Sequence, residues 1–136
     1  MTDAPPAQAE VKGSMIPYLM VADAYAAADF YVAAFGATDV ARMPKNEHGH
    51  SMHVHVYIHG QSVMLGDPMP EHGHPLVAPQ AFNLMLRVPD VDAAFKRAID
   101  AGGTQIMAPH DAFWGDRYAM LKDPVGVSWA LSAPLG

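Results

Sequence analysis

The chain has no cysteine, which excludes a disulfide framework and any zinc centre built on thiolates, and leaves the redox compartment open. Cations are scarce: eight Lys plus Arg face fourteen Asp plus Glu, for a formal net charge of -6. Phosphate backbones need a basic face, so nucleic acid is not an expected partner. No apolar run approaches the roughly 18 residues of a membrane span. Met1 to Glu10 also lacks the basic start and apolar centre of a signal peptide. No membrane contact and a cytoplasmic location are therefore expected. Against these absences stand ten methionines and eight histidines in 136 residues. Thioethers fill cores, and they also suit adaptable apolar pockets. The length is one domain's worth, able to bury roughly two thirds of the surface exposed by the unfolded chain.

In chain order, residues 1–14 are polar, contain two prolines and read as a mobile tail. Ile16 to Val21 reads as a strand. Asp23 sits where a helix N-cap belongs and Gly36 where a C-terminal cap belongs, with Ala24, Ala27, Ala28, Tyr31, Ala34 and Phe35 at helical spacing between them. Thr38 to Met43 reads as a second strand. Met52 to Ile58 alternates strictly, with Met52, Val54, Val56 and Ile58 on one face and His53, His55 and Tyr57 on the other. His59-Gly60 is a tight hairpin turn into Gln61 to Gly66. Residues 67–80 carry four prolines and read as a linker. Phe82 to Val88 then reads as a strand, Asp90 to Ala101 as a helix and Thr104 to Met107 as a strand. Asp111 to Leu131 forms a last hairpin, whose Asp123-Pro124-Val125-Gly126 suits a type I turn.

The order repeats. A shift of 67 lays Leu19 on Leu86, Val21 on Val88, Asp23 on Asp90, Ala27 on Ala94 and Gly36 on Gly103. A shift of 66 lays Gly60 on Gly126 and Met52 to Val56 over Tyr118 to Lys122. The expected architecture is α+β: two βαβββ modules, 15–66 and 81–134, in one domain spanning 15–134. A helix covers one face of each module's sheet, so the other face needs a cover, and two such faces opposed make a cleft.

With the module order in place, PYLMVADAYAAADFYVAAFGA near the start and FWGDRYAMLKDPVGVSWAL near the end resemble the vicinal oxygen chelate superfamily. This is the glyoxalase, bleomycin-resistance and extradiol dioxygenase group, and the similarity is to its PhnB-like branch. The resemblance implies a half-barrel cleft and, in the metalloenzymes of the group, one divalent metal held by four side chains. Those positions fall at Ile16, Met64, Asn83 and Ala130, and the repeat pairs them as Ile16 with Asn83 and Met64 with Ala130. A dication needs charged or imidazole donors. The usual centre, and the metal-dependent mechanism with it, is therefore not expected. Of the His-then-Glu pattern of the branch, only His53 is kept, and Val127 stands where relatives carry His.

Strand parity then lines the cleft with Ile16, Tyr18 and Met20, with Asn83, Met85 and Arg87, with Ser128, Ala130 and Ser132, and with His53, His55 and Tyr57. The same register turns Arg117, Ala119 and Leu121 inward. His53 and His55, roughly 6.5 to 7 Å apart at Cα, line the pocket or, as the alternative, hold a displaced metal with help from the EHGH loops at 47–50 and 71–74. Trp129 is a core residue. Trp114 with Phe113 reads as an aromatic lid, and Asp116-Arg117 as a surface pair. Three functions fit. The preferred one is a binding module, expected as a homodimer, for a small apolar or aromatic molecule without a cofactor. The second is an enzyme of lyase, isomerase or dioxygenase type using His53, His55, Tyr57 or Arg117 as acid, base or anion clamp. The third is an interaction protein with a vestigial cleft. Ligand contacts are expected from Tyr18, Met20, His53, His55, Met64, Asn83, Met85, Phe113, Trp114, Arg117 and Ala130.

Overall fold

A computed structural model describes residues 9–70, 73 and 75–136. The elements run β1 (Tyr18–Met20), α1 (Ala24–Phe35), β2 (Thr38–Arg42), β3 (Val54–Ile58), β4 (Gln61–Gly66), β5 (Leu84–Arg87), α2 (Val91–Asp100), β6 (Thr104–Asp111), β7 (Asp116–Lys122) and β8 (Ser128–Pro134). They make two four-stranded sheets, ordered β1-β4-β3-β2 and β5-β8-β7-β6. In each, the strand before the helix pairs parallel to the last strand and the other pairs are antiparallel. The two βαβββ modules read from the repeat are present.

Local chemistry sets the helix ends. The Asp23 and Asp90 carboxylates accept from Ala26 N and Ala93 N, each three residues on, satisfying donors that the first turn leaves free. Gly36 ends α1 in the left-handed region at φ 68°, as its place in the repeat suggests. In α2 the pattern differs, because the helix stops at Asp100 and Gly102, not Gly103, takes the positive φ.

The hairpins differ by one residue, and that difference corrects one expectation. Between β3 and β4, His59 (φ 50°) and Gly60 (φ 77°) form a two-residue turn of the kind whose twist matches the strands. Between β7 and β8, Gly126 N donates to Asp123 O and Asp123 N to Val127 O, a type I turn followed by Gly126 at φ 92°. Five residues separate the Lys122↔Ser128 pair, where four separate Tyr57↔Ser62. The shift of 66 therefore holds only after the turn; before it the shift is 65, so His53 corresponds to Tyr118 and His55 to Met120. A one-residue slip reverses every side chain. Ala119 and Leu121 accordingly lie in the main core, while Tyr118 and Met120 occupy the other face. Arg117 follows Ala119 and Leu121 to the helix side, where it pairs with Asp92 of α2 and with Asp111.

One apolar core joins both modules. It takes Leu19 and Val21, Val54, Val56 and Ile58, Val63 and Leu65, then Leu121, Trp129 and Leu131, together with faces of both helices. Residue α1 side chains reach across: Tyr31 and Phe35 pack on Trp129 at centroid distances of 5.1 and 4.8 Å. The Tyr31 hydroxyl donates to Asp123 Oδ2 at 2.6 Å, and burial followed by the Asp123 charge raises its pKa well above the ordinary value.

Two stretches read as tail and linker are hydrogen-bonded where described. Lys12 exchanges bonds with Ser62, and Tyr57 donates to Glu10 O, so residues ahead of Met15 are hydrogen-bonded to the first sheet. Asp67 is buried and accepts from Ala24 N and Ser51 N, tying α1 to the approach of β3. Residues 1–8, and His72 and His74 of the second EHGH loop, lie outside the described residues.

Candidate functional site

The site residues lie on the open face of each sheet, the face turned away from the shared core. Parity puts them there for a simple reason. Leu19, Val54, Val56, Val63 and Leu65 are taken by the core, which leaves Tyr18, Met20, His53, His55, Ser62 and Met64 on the opposite side of the first sheet. Met52, expected on the core side, precedes β3 and is exposed. The open face carries a row of rings. Tyr18 and His53 have centroids 5.9 Å apart, His53 and His55 6.3 Å, and His55 and Tyr57 5.1 Å.

Hydrogen bonds fix how these rings present themselves. The Tyr18 hydroxyl lies 2.9 Å from Met52 O, to which it donates, and 3.1 Å from His53 Nδ1. One phenol proton serves one acceptor well, so the satisfied arrangement has His53 donating from Nδ1 and keeping Nε2 as an acceptor. Partial burial raises the Tyr18 pKa, holding the phenol neutral. His55 is 2% exposed, with Nε2 2.7 Å from Ser62 Oγ. Ser62 Oγ also accepts from Lys12 N, so the buried imidazole is joined through it to the segment ahead of β1. Burial, then the neighbouring His53, lowers the His55 pKa and favours the neutral ring. The hydroxyl of Tyr57 is committed to Glu10 O, and Lys12 Nζ stands 4.3 Å over its ring. Of the four candidates for acid–base work, His55, Tyr57 and Arg117 are thus engaged within the protein.

On the second sheet the open face holds Met85, Arg87, Tyr118, Met120, Ala130 and Ser132. Trp114 and Phe113, on the turn before β7, extend it. Trp114 packs edge-on against Tyr118 at 5.1 Å, Phe113 against Trp114 at 5.1 Å, and His110 against Tyr118 at 6.1 Å. Trp114 is half exposed and Trp129 fully buried, which separates the surface indole from the core indole as their contexts suggested. Asp116 and Arg117 are not each other's partners. The Asp116 carboxylate accepts from Trp114 Nε1 and pairs with Arg87, while Arg117 turns to Asp92 and Asp111. Tyr118, Met120 and Asp116 were missed as site candidates, whereas Arg87 lies on the face where strand parity put it. The signal was present in the longer Asp123-Pro124-Val125-Gly126 turn, which alone shifts the parity of β7.

The four family metal positions do not fit a metal. Met64 pairs with Tyr18 and His55, Ala130 is buried between Met85 and Met120, Asn83 is exposed, and Ile16 is half-buried ahead of β1. Three of these side chains offer no hard donor and the fourth is a neutral amide. Among the described residues no three His, Cys, Asp or Glu side chains converge. Between the modules lies a cavity of about 340 Å³, bounded by Pro17, Gln61 and Val63 from the first and by Met85, Arg87 and Trp129 from the second.

Comparison with known proteins bears on this geometry. An uncharacterized protein of Mycobacterium bovis is 40% identical over 131 residues, 92% of this chain and 86% of the relative. Among solved structures, TnmS3, an antibiotic binding protein from Streptomyces sp. CB03234, is 31% identical with a TM-score of 0.66, over 94% of this chain and 98% of that one. TioX from Micromonospora sp. ML1 is 28% identical with a TM-score of 0.70, over 90% and 100%. Residues 14–131 match the model of the Glyoxalase/Bleomycin resistance protein/Dioxygenase superfamily. With both βαβββ modules in place and the matched residues spanning them, the chain belongs to that superfamily.

Proposed function

We propose that this chain binds a planar aromatic small molecule on the open faces of its sheets, as a binding protein of the PhnB-like branch rather than a metalloenzyme. The observation that carries the reading is the pair of aromatic rows, Tyr18-His53-His55-Tyr57 and Phe113-Trp114-Tyr118-His110, with methionines beside them. Edge-on and offset ring contacts favour a flat π-system over a compact aliphatic one. Met20, Met64, Met85 and Met120 add polarizable, unbranched side chains that adapt to a ring's outline. The antibiotic binding named for TnmS3 agrees in kind with such a ligand. Donor sets at the family metal positions are missing, and the committed hydrogen bonds of His55 and Tyr57 leave little for acid–base chemistry.

The test is calorimetric titration of the protein with 2-naphthamide, a neutral flat probe. Saturable binding is expected, and Trp114→Ala should weaken it roughly fivefold, the equivalent of about 1 kcal/mol of ring contact. No binding at millimolar probe would sink the reading. Unchanged affinity in the Trp114→Ala protein would move the ligand away from this face.

A further inference from the structure

We propose that Arg87 is a carboxylate anchor, so that the ligand is a planar aromatic acid; this rests on the aromatic-face reading above and narrows it. Arg87 ends β5 on the open face, directly across the ladder from Ser132. Its intramolecular hydrogen bonds both leave from one nitrogen: Nη1 donates to Ser132 Oγ at 3.0 Å and to Asp116 Oδ2 at 3.2 Å. A guanidinium carries five N–H groups, and the edge formed by Nε and Nη2 is a fork matched to the two oxygens of a carboxylate. Here that edge has no hydrogen-bond partner among the described residues, and 54% of the side chain is exposed.

The other arginines are differently placed. Arg117 is bound by Asp92 through Nε and Nη2 and by Asp111 through Nη1, Arg42 is held between Asp29 and Asp39, and Arg97 gives its Nε to Ala33 O. Arg87 alone among the four combines a place on the open face with an unclaimed fork. The same Asp116 oxygen that steadies Arg87 also accepts from Trp114 Nε1 at 3.1 Å. One carboxylate therefore sets the guanidinium and the indole relative to each other. A ring stacked in the Trp114-Tyr118 row and an acid group on the Arg87 fork would use both at once. The chain's net charge of -6 opposes an anion at long range, but that field is screened beyond roughly 8 Å at physiological salt, leaving the contact to decide.

Calorimetry with 2-naphthoate and 2-naphthamide separates this proposal from the broader one. Wild-type protein should bind the acid about fivefold more tightly than the amide, as expected for a partly exposed ion pair. Raising NaCl from 0.05 to 0.5 M should shrink that preference while leaving the amide unaffected. Arg87→Gln should abolish the preference, Arg87→Lys should keep part of it because an ammonium lacks the planar fork, and Arg117→Gln should keep all of it. Equal affinity for acid and amide in the wild type overturns the anchor and leaves aromatic binding standing. A preference that survives Arg87→Gln, in protein whose thermal melt is unchanged, overturns it as well. Failure of both probes to bind overturns the aromatic-face reading, and the anchor with it.

Discussion

Replacing Asp123 by Ala should cost about 4 kcal/mol of folding stability, because one buried carboxylate closes the second hairpin and joins it to α1. Its side chain is 4% exposed. Oδ2 accepts from the Tyr31 hydroxyl at 2.6 Å and from Trp129 Nε1 at 2.9 Å, while Oδ1 accepts from Val125 N at 3.0 Å and Val127 N at 2.9 Å. Tyr31, Trp129 and Val127 are fully buried, so water cannot replace the lost acceptor for three of the four donors. Each stranded donor costs roughly 1 to 3 kcal/mol. Removing a buried charge returns some desolvation energy, which brings the sum down to the stated figure. Urea unfolding followed by tryptophan fluorescence reads the loss. With a slope of about 2 kcal/mol/M, the midpoint should fall by roughly 2 M. Tyr31→Phe is the control: it takes away one donor and leaves Asp123 three partners, at a cost of about 1 kcal/mol. An Asp123→Ala loss below about 1 kcal/mol, or one no larger than that of Tyr31→Phe, would refute the reasoning.

Two further outcomes follow from buried contacts. The His55 pKa is lowered in the folded protein by burial and then by His53; the unfolded chain therefore binds the proton first as pH falls. Its contribution is intact above the unfolded value near 6.5 and is lost as pH falls from there through the folded pKa. Urea midpoints between pH 7.5 and 5 should decline more steeply in wild type than in His55→Gln, and parallel declines would remove His55 from the account. Gly103→Ala should destabilise by about 1 to 3 kcal/mol through overpacking, since an added Cβ would meet Leu121 Cδ1 at 2.9 Å and Ala98 O at 3.0 Å. A thermal melt within a degree of wild type would show that the α2 terminus yields.

Much of this protein is legible without coordinates. Asp23 and Asp90 cap their helices because a short acid before an apolar stripe has little else to do, and the repeat carries that logic from one module to the other. Alternation in β3 places Val54, Val56 and Ile58 in the core and His55 outside it. Tertiary structure decided the rest. Whether Arg117 or its neighbour Tyr118 faces the ligand side depends on one extra residue in the Asp123-Pro124-Val125-Gly126 turn, since strand parity inverts with each residue of slip. That Glu10 and Lys12 engage Tyr57 and Ser62, that Asp67 caps α1, and that Asp123 holds Tyr31 from 92 residues away are also settled only in the fold. Periodicity reports which face of an element is apolar; it carries no record of which distant polar group completes a buried hydrogen bond.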